Sequence, residues 1–323
     1  MKHQLHLTSF GVGLRSKAGL FIVRYDDPDK GWSVQEIAPL KVESIYLSEH
    51  TSVSGTAILL AAEHKIDIWI LNKFGMPVSR VWHLNPTGHT KIRKAQVIAS
   101  VNDIAVDLVK HWLNDKLSNQ INVLNKISST NNNNEVQNAA EQIAFQKIKL
   151  DAIEGTLISD TAEAIRGIEG YASKVYFRCL SNLLPEQYQF KERSRSPARD
   201  PFNLALNYGY GMLYSKVEKA ILLAGLDPYI GFLHRDGFLH QSLTFDLIEP
   251  FRPKVDQVVF QLCEQSKILS EHYKIQGKGI TLTNEGKQLL IHALNTRFKA
   301  KGIIGKVENY CRAAAKSMFE FSE

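Results

Sequence analysis

The stretch Asn85-Pro86-Thr87-Gly88-His89 divides the chain into two parts whose sequence patterns predict different secondary structure. Before it, short segments rich in β-branched and large apolar residues alternate with turns such as Asp26-Asp27-Pro28-Asp29-Lys30-Gly31, a pattern typical of β-strands. After it, long stretches with apolar residues three and four positions apart predict α-helices. The sequence therefore predicts an α+β fold, with a small N-terminal β-rich domain followed by a larger all-α domain.

The change of pattern also gives the expected domain boundaries. We expect the β-rich domain to span residues 1–84, a linker residues 85–91, and the helical domain residues 92–323. Within the first domain, Ser52 or Ser54 can cap a helix that ends near His64. The predicted strands are Gln4–Thr8, Gly19–Tyr25, Ser33–Ile37, Ser44–Ser48, Asp67–Leu71 and Val78–Leu84. The predicted helices of the second domain are 92–127, 135–152, 159–184, 202–224, 254–270 and 284–299.

Net charge, apolar runs and cysteine content limit the classes of protein to which this sequence can belong. The formal net charge of +6 is compatible with a polyanionic partner but does not demand one. The sequence contains no run of about 18 apolar residues, so we predict no transmembrane helix. Its N-terminus alternates polar and apolar residues and lacks the apolar block of a signal peptide. We therefore expect a cytoplasmic protein. Three scattered cysteines, Cys179, Cys263 and Cys311, indicate buried thiols rather than disulfides or a zinc site.

Glu169 is the first candidate catalytic residue. On a helix it shares a face with Ala172 and Tyr176, and that face is otherwise apolar. A carboxylate there is costly to bury unless a cation or hydrogen-bond donors meet it. Pairing with a nearby arginine would satisfy it as well as a metal ion would.

Two further segments carry possible metal ligands. Residues 231–240 contain the string Gly-Phe-Leu-His twice, so His234 and His240 compete for one role, and either could be a hydrogen-bonded core residue. Asp246 and Glu249 are three positions apart, which places them on one face of a helix. Carboxylates and an imidazole together suit Mg²⁺ or Mn²⁺, which nucleases and DNA strand transferases use to polarise a phosphodiester.

Several short motifs follow one another along almost the whole chain. They are Ile45–Gly55 and Gly75–Pro77 in the N-terminal part, the helical motif of Lys116, Asn119 and Gln120, and then Gly167–Gly170, Asp200–Asn203, Leu206–Tyr210, Gly225–His234 and Asp246–Pro253. This series resembles the universal CRISPR-associated adaptation integrase/endonuclease family, the first of the two core spacer-acquisition proteins. The similarity covers almost the whole chain.

The resemblance implies which residues hold the catalytic ion, either Mg²⁺ or Mn²⁺. The family's metal ligands correspond to Glu169, His234 and Glu249. His234 is favoured over His240 because it directly follows the family's Leu-Asp-Pro-Tyr-Ile-Gly-Phe-Leu string. Asp246 matches an additional family acid, and we expect it to support the site close to the ion.

The resemblance also implies substrates and partners. Family members form homodimers, largely through the N-terminal domain, and a small ferredoxin-like CRISPR adaptation partner joins two dimers into a heterohexamer. The assembly carries short double-stranded DNA, a spacer precursor, to the CRISPR repeat. The 3′-hydroxyls of that DNA attack phosphodiesters at the ends of the repeat.

Arginines are the candidates for contacts with the DNA backbone, because a guanidinium pairs bidentately with phosphate. We select those in the basic loop and beside Glu249, although each could also be a solvated surface charge. The segment from Arg297 to Lys316 is basic as well, and could be a DNA-binding face or a flexible tail. The selected residues are Arg193, Arg195, Arg199 and Arg252.

Two other functions use the same residues. One is a metal-dependent nuclease that acts on branched or single-stranded DNA without integration. The other is a non-catalytic DNA-binding scaffold, which is disfavoured because all three ligand positions hold competent residues. An enzyme with a dinucleotide cofactor is also disfavoured, since Gly11-Val12-Gly13 and Gly209-Tyr210-Gly211 lack the third glycine of that fingerprint.

Overall fold

The computed structural model describes residues 3–27, 29–72, 77–81, 90–128, 134–195, 197–234 and 241–323. The chain forms two compact units, Met1–Pro86 and Thr87–Glu323. The first is built mainly from strands and the second mainly from helices, which confirms the predicted α+β class. Of the predicted linker, residues 85–89 lie outside the described ranges, whereas residues 90 and 91 already begin a helix.

The N-terminal unit contains two four-stranded sheets. In one, β1, β5 and β7 run parallel and β8 is an antiparallel edge. In the other, the order is β4-β3-β2-β6, with β2 to β4 antiparallel. The elements are β1 (His3–Leu7), β2 (Gly13–Lys17), β3 (Leu20–Asp27), β4 (Gly31–Ile37), β5 (Val42–Ser48), β6 (Ser52–Val53), α1 (Gly55–Glu63), β7 (Asp67–Leu71) and β8 (Pro77–Val81).

Alternation of side chains explains how this unit packs. Along β3, Phe21 and Val23 are buried while Arg24 faces solvent, as expected of a strand with one face on the core. Helix α1 begins after Ser54, whose side chain accepts a hydrogen bond from the amide of Ala57, so Ser54 and not Ser52 is the cap. The sequence pattern missed β2, and the last three residues of the predicted strand Val78–Leu84 lie outside the described ranges.

The C-terminal unit is mainly helical. A short hairpin of β9 and β10 interrupts the helices and was not predicted. Helix α10 was not predicted either, and its packed, regular structure rules out a flexible tail for the basic C-terminal segment. The elements are α2 (Thr90–Ser100), α3 (Ile104–Ser128), α4 (Asn134–Asp151), α5 (Ile158–Leu183), α6 (Pro201–Leu223), α7 (Ser242–Ile248), α8 (Arg252–Glu264), β9 (Tyr273–Gln276), β10 (Gly279–Leu282), α9 (Asn284–Ala300) and α10 (Ile303–Ser322).

The predicted single helix 92–127 is wrong, because a turn at residues 101–103 separates α2 from α3. The side chain of Asn102 donates to the carbonyl of Ile98 at 2.8 Å, which satisfies the end of α2. The carboxylate of Asp103 accepts from the amide of Ile104 at 2.9 Å, which begins α3. Short polar side chains that bond to the local backbone in this way compete with helix continuation.

Helix α6 lies at the centre of the helical core and is buried along most of its length. Its Gly209 is required for close packing, because an added Cβ would lie 2.5 Å from Val255 Cγ1 on α8. The three cysteines are free and buried, as predicted. Among the helices in the described ranges, none is both long and apolar enough to cross a membrane.

A polar contact between α6 and α8 makes the stability of this core depend on pH. Tyr210 donates to the carboxylate of Asp256 at 2.5 Å, and both residues are buried. Burial is the largest influence on Asp256 and, despite the hydrogen bond from Tyr210, raises its pKa from 3.8 to about 6. The folded state therefore binds this proton more tightly than the unfolded state, so stability falls as pH rises between these values.

We expect Asp256→Asn to raise the free energy of unfolding of the helical unit at pH 8 by about 1–3 kcal/mol, because the amide keeps an acceptor for Tyr210 without a buried charge. The advantage should shrink as pH falls through about 6 and vanish below about 3.8. Chemical denaturation at several pH values measures this. The exposed control Asp107→Asn should show no comparable trend, and a lower stability of Asp256→Asn at pH 8 would contradict the expectation.

Candidate active site

Two of the predicted catalytic residues, Glu169 and His234, line one cavity in the helical unit. Its volume is about 330 Å³, and Arg166, Glu169, Leu233 and His234 line it. Glu169 projects from the middle of α5, on the face that also buries Ala172 and Tyr176. This confirms the helix face expected from the sequence and explains why only part of the carboxylate is exposed.

Lys116, in the middle of α3, joins two of the predicted metal ligands. Its ammonium donates to Oε1 of Glu169 and lies 2.6 Å from Oε2 of Glu249. Burial opposes the charge of Lys116, but the nearby Glu249 and Glu169 outweigh burial and raise its pKa. The lysine is therefore charged, and it lies between two carboxylates that would otherwise repel each other.

Glu249 is held from its other side by Arg252. The Nε atom of Arg252 lies 2.9 Å from Oε1 of Glu249. Burial alone would raise the pKa of Glu249, but the charges of Arg252 and Lys116 outweigh it and lower the pKa to about 2. Glu249 is therefore an anion over the whole neutral range, as a metal ligand must be.

Asp246 has a different environment from Glu249. Its Oδ2 accepts from the amides of Phe232 at 2.7 Å and Leu233 at 3.3 Å. Its Oδ1 accepts from the amide of His234 at 3.1 Å and lies 2.6 Å from the Nδ1 atom of the same residue. The carboxylate thus fixes both the loop and the imidazole, and leaves Nε2 of His234 as the nitrogen available to a ligand.

Burial of His234 favours its neutral form, but the hydrogen bond and charge of Asp246 outweigh this effect and raise the pKa of the imidazole. Asp246 is thus in contact with His234 and orients it, while the support of a metal ion that was expected of Asp246 stays a prediction. His240, the competing histidine, lies outside the described residues.

The donor types fit the predicted Mg²⁺ or Mn²⁺, since carboxylate oxygens and one imidazole suit a hard cation. The buried oxygen Oε2 of Glu249 also has acceptor capacity left. Lys116 lies close to it, but this oxygen accepts no hydrogen bond with acceptable geometry. However, no three His, Cys, Asp or Glu side chains in the described ranges lie close enough together to hold an ion. Glu169 and Glu249 both contact Lys116, and in this arrangement they do not form a closed metal site with His234.

The four arginines selected from the sequence fall into two pairs. Arg193 is directed inward, with its guanidinium bonded to the side-chain oxygens of Asn203 and Asn207 on α6. Arg252 is engaged with Glu249 and lies over the ring of Tyr210. Arg195 and Arg199 are exposed, so only this second pair has the accessibility that the predicted phosphate contact needs.

Two polar residues of the site were not selected from the sequence. Lys116 was noted only as part of a family motif. It lies between the buried residues Leu113 and Leu117 on α3. A lysine among apolar residues at helical spacing is rarely buried without a charged partner, and this pattern could have identified it from the sequence. Arg166 donates to the carbonyl of Leu233 at 3.1 Å and so brings a cation to the cavity wall. It stands one turn before the partly buried Glu169, and this spacing is visible in the sequence.

We expect Lys116→Met to lower the free energy of unfolding by about 3 kcal/mol, because it leaves two close carboxylates without their shared cation. Thermal or chemical denaturation in the presence of a chelator measures this. Addition of Mn²⁺ should recover more stability in the variant than in the parent, because the ion then replaces the missing charge. The exposed control Lys174→Met on α5 should change stability by less than about 0.5 kcal/mol. Equal stability of Lys116→Met and the parent would contradict the bridging role.

Comparisons with known proteins point to one family. The family model described as CRISPR associated protein Cas1 matches residues 5–296. A CRISPR-associated endonuclease Cas1 from Archaeoglobus fulgidus is 31% identical over 92% of this chain and 89% of its own length.

Two solved structures share the fold. A casposase bound to integration product superposes with a TM-score of 0.83 at 21% identity, covering 99% of this chain and 91% of the other. The matching chain of a Cas6-RT-Cas1–Cas2 complex gives a TM-score of 0.81 at 21% identity, covering 99% of this chain and 35% of the other. With the family model matched over most of its length, this chain belongs to the CRISPR-associated Cas1 family.

Proposed function

We propose that this protein is a CRISPR spacer-acquisition integrase, a metal-dependent DNA endonuclease and strand transferase. The observation that carries the proposal is the placement of Glu169 and His234 on the wall of one cavity, with Glu249 joined to Glu169 through Lys116. Membership of the Cas1 family supports it, as does the fold shared with a casposase bound to integration product.

The proposed reaction is a transesterification. The 3′-oxygen of the incoming DNA forms a bond to a phosphorus of the repeat, while the bond from that phosphorus to the 3′-oxygen of the repeat strand breaks. The proton of the attacking hydroxyl passes to solvent, and the leaving oxygen takes a proton from solvent. One phosphodiester is lost and one is formed, so no external energy source is required.

Each residue of the site has a distinct task in this reaction. Glu169, Glu249 and Nε2 of His234 would hold Mg²⁺ or Mn²⁺, which when bound supplies Lewis acidity to the phosphodiester. Asp246 keeps the imidazole in one orientation through its contact with Nδ1. Arg166 presents a guanidinium at the cavity wall, where it can bind a phosphate oxygen. Fixed placement of the attacking hydroxyl supplies much of the remaining acceleration.

The proposal includes partners. The substrate is double-stranded DNA, both as spacer precursor and as CRISPR repeat. The chain acts as a homodimer formed through its N-terminal unit, with a small ferredoxin-like CRISPR adaptation partner completing a heterohexamer. The fold shared with a Cas6-RT-Cas1–Cas2 complex supports assembly with a second CRISPR protein. Arg195 and Arg199, on the exposed basic loop, are proposed contacts of the DNA backbone.

A second candidate function is hydrolysis of branched or single-stranded DNA without integration. The relative from Archaeoglobus fulgidus is named an endonuclease, and hydrolysis requires the same ligands with water as the attacking group. A duplex with 3′-deoxy ends separates the two reactions, because it removes the nucleophile for strand transfer and leaves hydrolysis intact.

We expect His234→Ala to reduce strand transfer of a labelled duplex into a repeat-bearing plasmid by about 100-fold or more, because it removes a metal ligand and the group that Asp246 orients. The assay contains the companion protein and Mn²⁺. His240→Ala is the matched control, since it removes the other histidine of the repeated string and should retain activity. Equal strand transfer by both variants and the parent would reject the site, and hydrolysis alone would favour the nuclease.

A further inference from the structure

Four basic side chains from four helices surround the beginning of α8, next to the proposed active site. Lys254, in the first turn of α8, donates to the side-chain oxygen of Asn119 on α3 at 2.6 Å. Asn119 in turn donates to the carbonyl of Pro250 at 2.9 Å, which fixes this lysine beside the catalytic segment. Lys126 is exposed and follows Asn119 by seven residues on α3, so it extends the same helix face by two turns.

The other two cations come from α9 and α10. Arg297 donates to the side-chain oxygen of Gln257, which stands one turn after Lys254 on α8. Lys306 is exposed and stands one turn before Tyr310, whose ring packs edge-on against Phe251 with centroids 5.4 Å apart. These contacts bring both cations to the start of α8, together with Lys254 and Lys126.

The four cations of this cluster lie close enough together to act on one another. Burial first, and then the positive charges of Lys126, Lys306 and Arg297, lower the pKa of Lys254. Two acids on these helices contact other groups: Asp115 accepts from the hydroxyl of Tyr310 at 2.7 Å, and Glu308 pairs with Arg312 at 3.3 Å. Like charges held together in this way are unfavourable in the free protein and are relieved when a polyanion binds.

The cluster adjoins the proposed catalytic residues through two helices. The first turn of α8 holds both Arg252, which pairs with Glu249, and Lys254. Helix α3 holds both Lys116 and, ten residues later, Lys126, a separation of about 15 Å along the helix axis. In duplex DNA this length corresponds to about four base pairs. The cluster therefore begins at the site of phosphodiester chemistry and extends away from it.

We infer that Lys126, Lys254, Arg297 and Lys306 form a phosphate-binding site that holds the DNA backbone on one side of the catalytic pocket. The inference rests on the proposed function, because it assigns the surface along which the DNA of that reaction lies. Three of the four groups are ammonium ions, which bind phosphate as point charges without reading the base sequence. Their continuity with a site for phosphodiester chemistry favours DNA over an acidic protein as the ligand.

The test compares two double variants that lose the same charge. Lys126→Gln with Lys306→Gln removes the two exposed members of the cluster, and Lys149→Gln with Lys174→Gln removes two exposed lysines elsewhere on the helical unit. Fluorescence anisotropy of a labelled duplex, with a chelator present to prevent cleavage, gives the dissociation constant over a series of salt concentrations. For the cluster variant we expect binding about tenfold weaker or more at low salt, and a salt-dependence slope smaller by about 2, because each lost phosphate contact removes about 0.9.

The control variant should keep the slope of the parent. An unchanged slope in the cluster variant would overturn the inference and assign the cluster to another partner, while strand transfer by the parent would still uphold the proposed function. An equal decrease in both variants would also overturn it, because a general charge effect would then explain the loss. Absence of DNA binding by the parent would reject both the inference and the proposed function.

Discussion

The arrangement of the proposed catalytic pocket depends on the ammonium of Lys116. This group links the middle of α3 to Glu169 on α5 and to Glu249 after α7, three segments that are distant in the sequence. Lys116 and Glu249 are only 5% and 6% exposed, so water cannot screen their charges. Two carboxylates could not approach each other in such surroundings without a cation between them, because an unpaired buried charge costs several kcal/mol. The positions of both proposed ligands therefore follow from one lysine.

The two acids that stand three residues apart are satisfied in opposite ways. Glu249 is neutralised by cationic side chains, Lys116 and Arg252, and keeps one oxygen without a well-formed hydrogen bond. Asp246 is satisfied by backbone amides and by the imidazole of His234, which occupy both of its oxygens. An acid with free acceptor capacity can bind a cation, whereas a fully engaged acid can only orient its neighbours. The structure thus gives the two acids different surroundings, which fit the roles proposed for them: Glu249 as a ligand and Asp246 as a positioning residue.

The fold class was predictable because the change from strand to helix patterns at residue 85 is abrupt. The turn between α2 and α3 was not predictable, because the apolar pattern continues across it. The helix is interrupted only by the hydrogen bonds that the side chains of Asn102 and Asp103 make with the nearby backbone. Glu169 could be identified from its apolar helix face. Arg193 was selected as a phosphate contact, but its guanidinium donates to the side-chain oxygen of Asn207 on α6. The sequence around Arg193 does not reveal this contact, because packing between distant segments creates it.

The charges of the pocket also give a physical reason for the proposed metal ion and the proposed DNA substrate to bind at this site together. Lys116 and Arg252 contribute two positive charges, and Glu169 and Glu249 contribute two negative ones, so this group is already neutral. A divalent cation added to a neutral, buried group is unfavourable unless further negative charge arrives or an ammonium moves away. A phosphodiester placed beside Arg166 and His234 supplies that negative charge at the wall of the cavity. Binding of the ion and of the DNA backbone should therefore reinforce each other, since each provides the charge that the other requires.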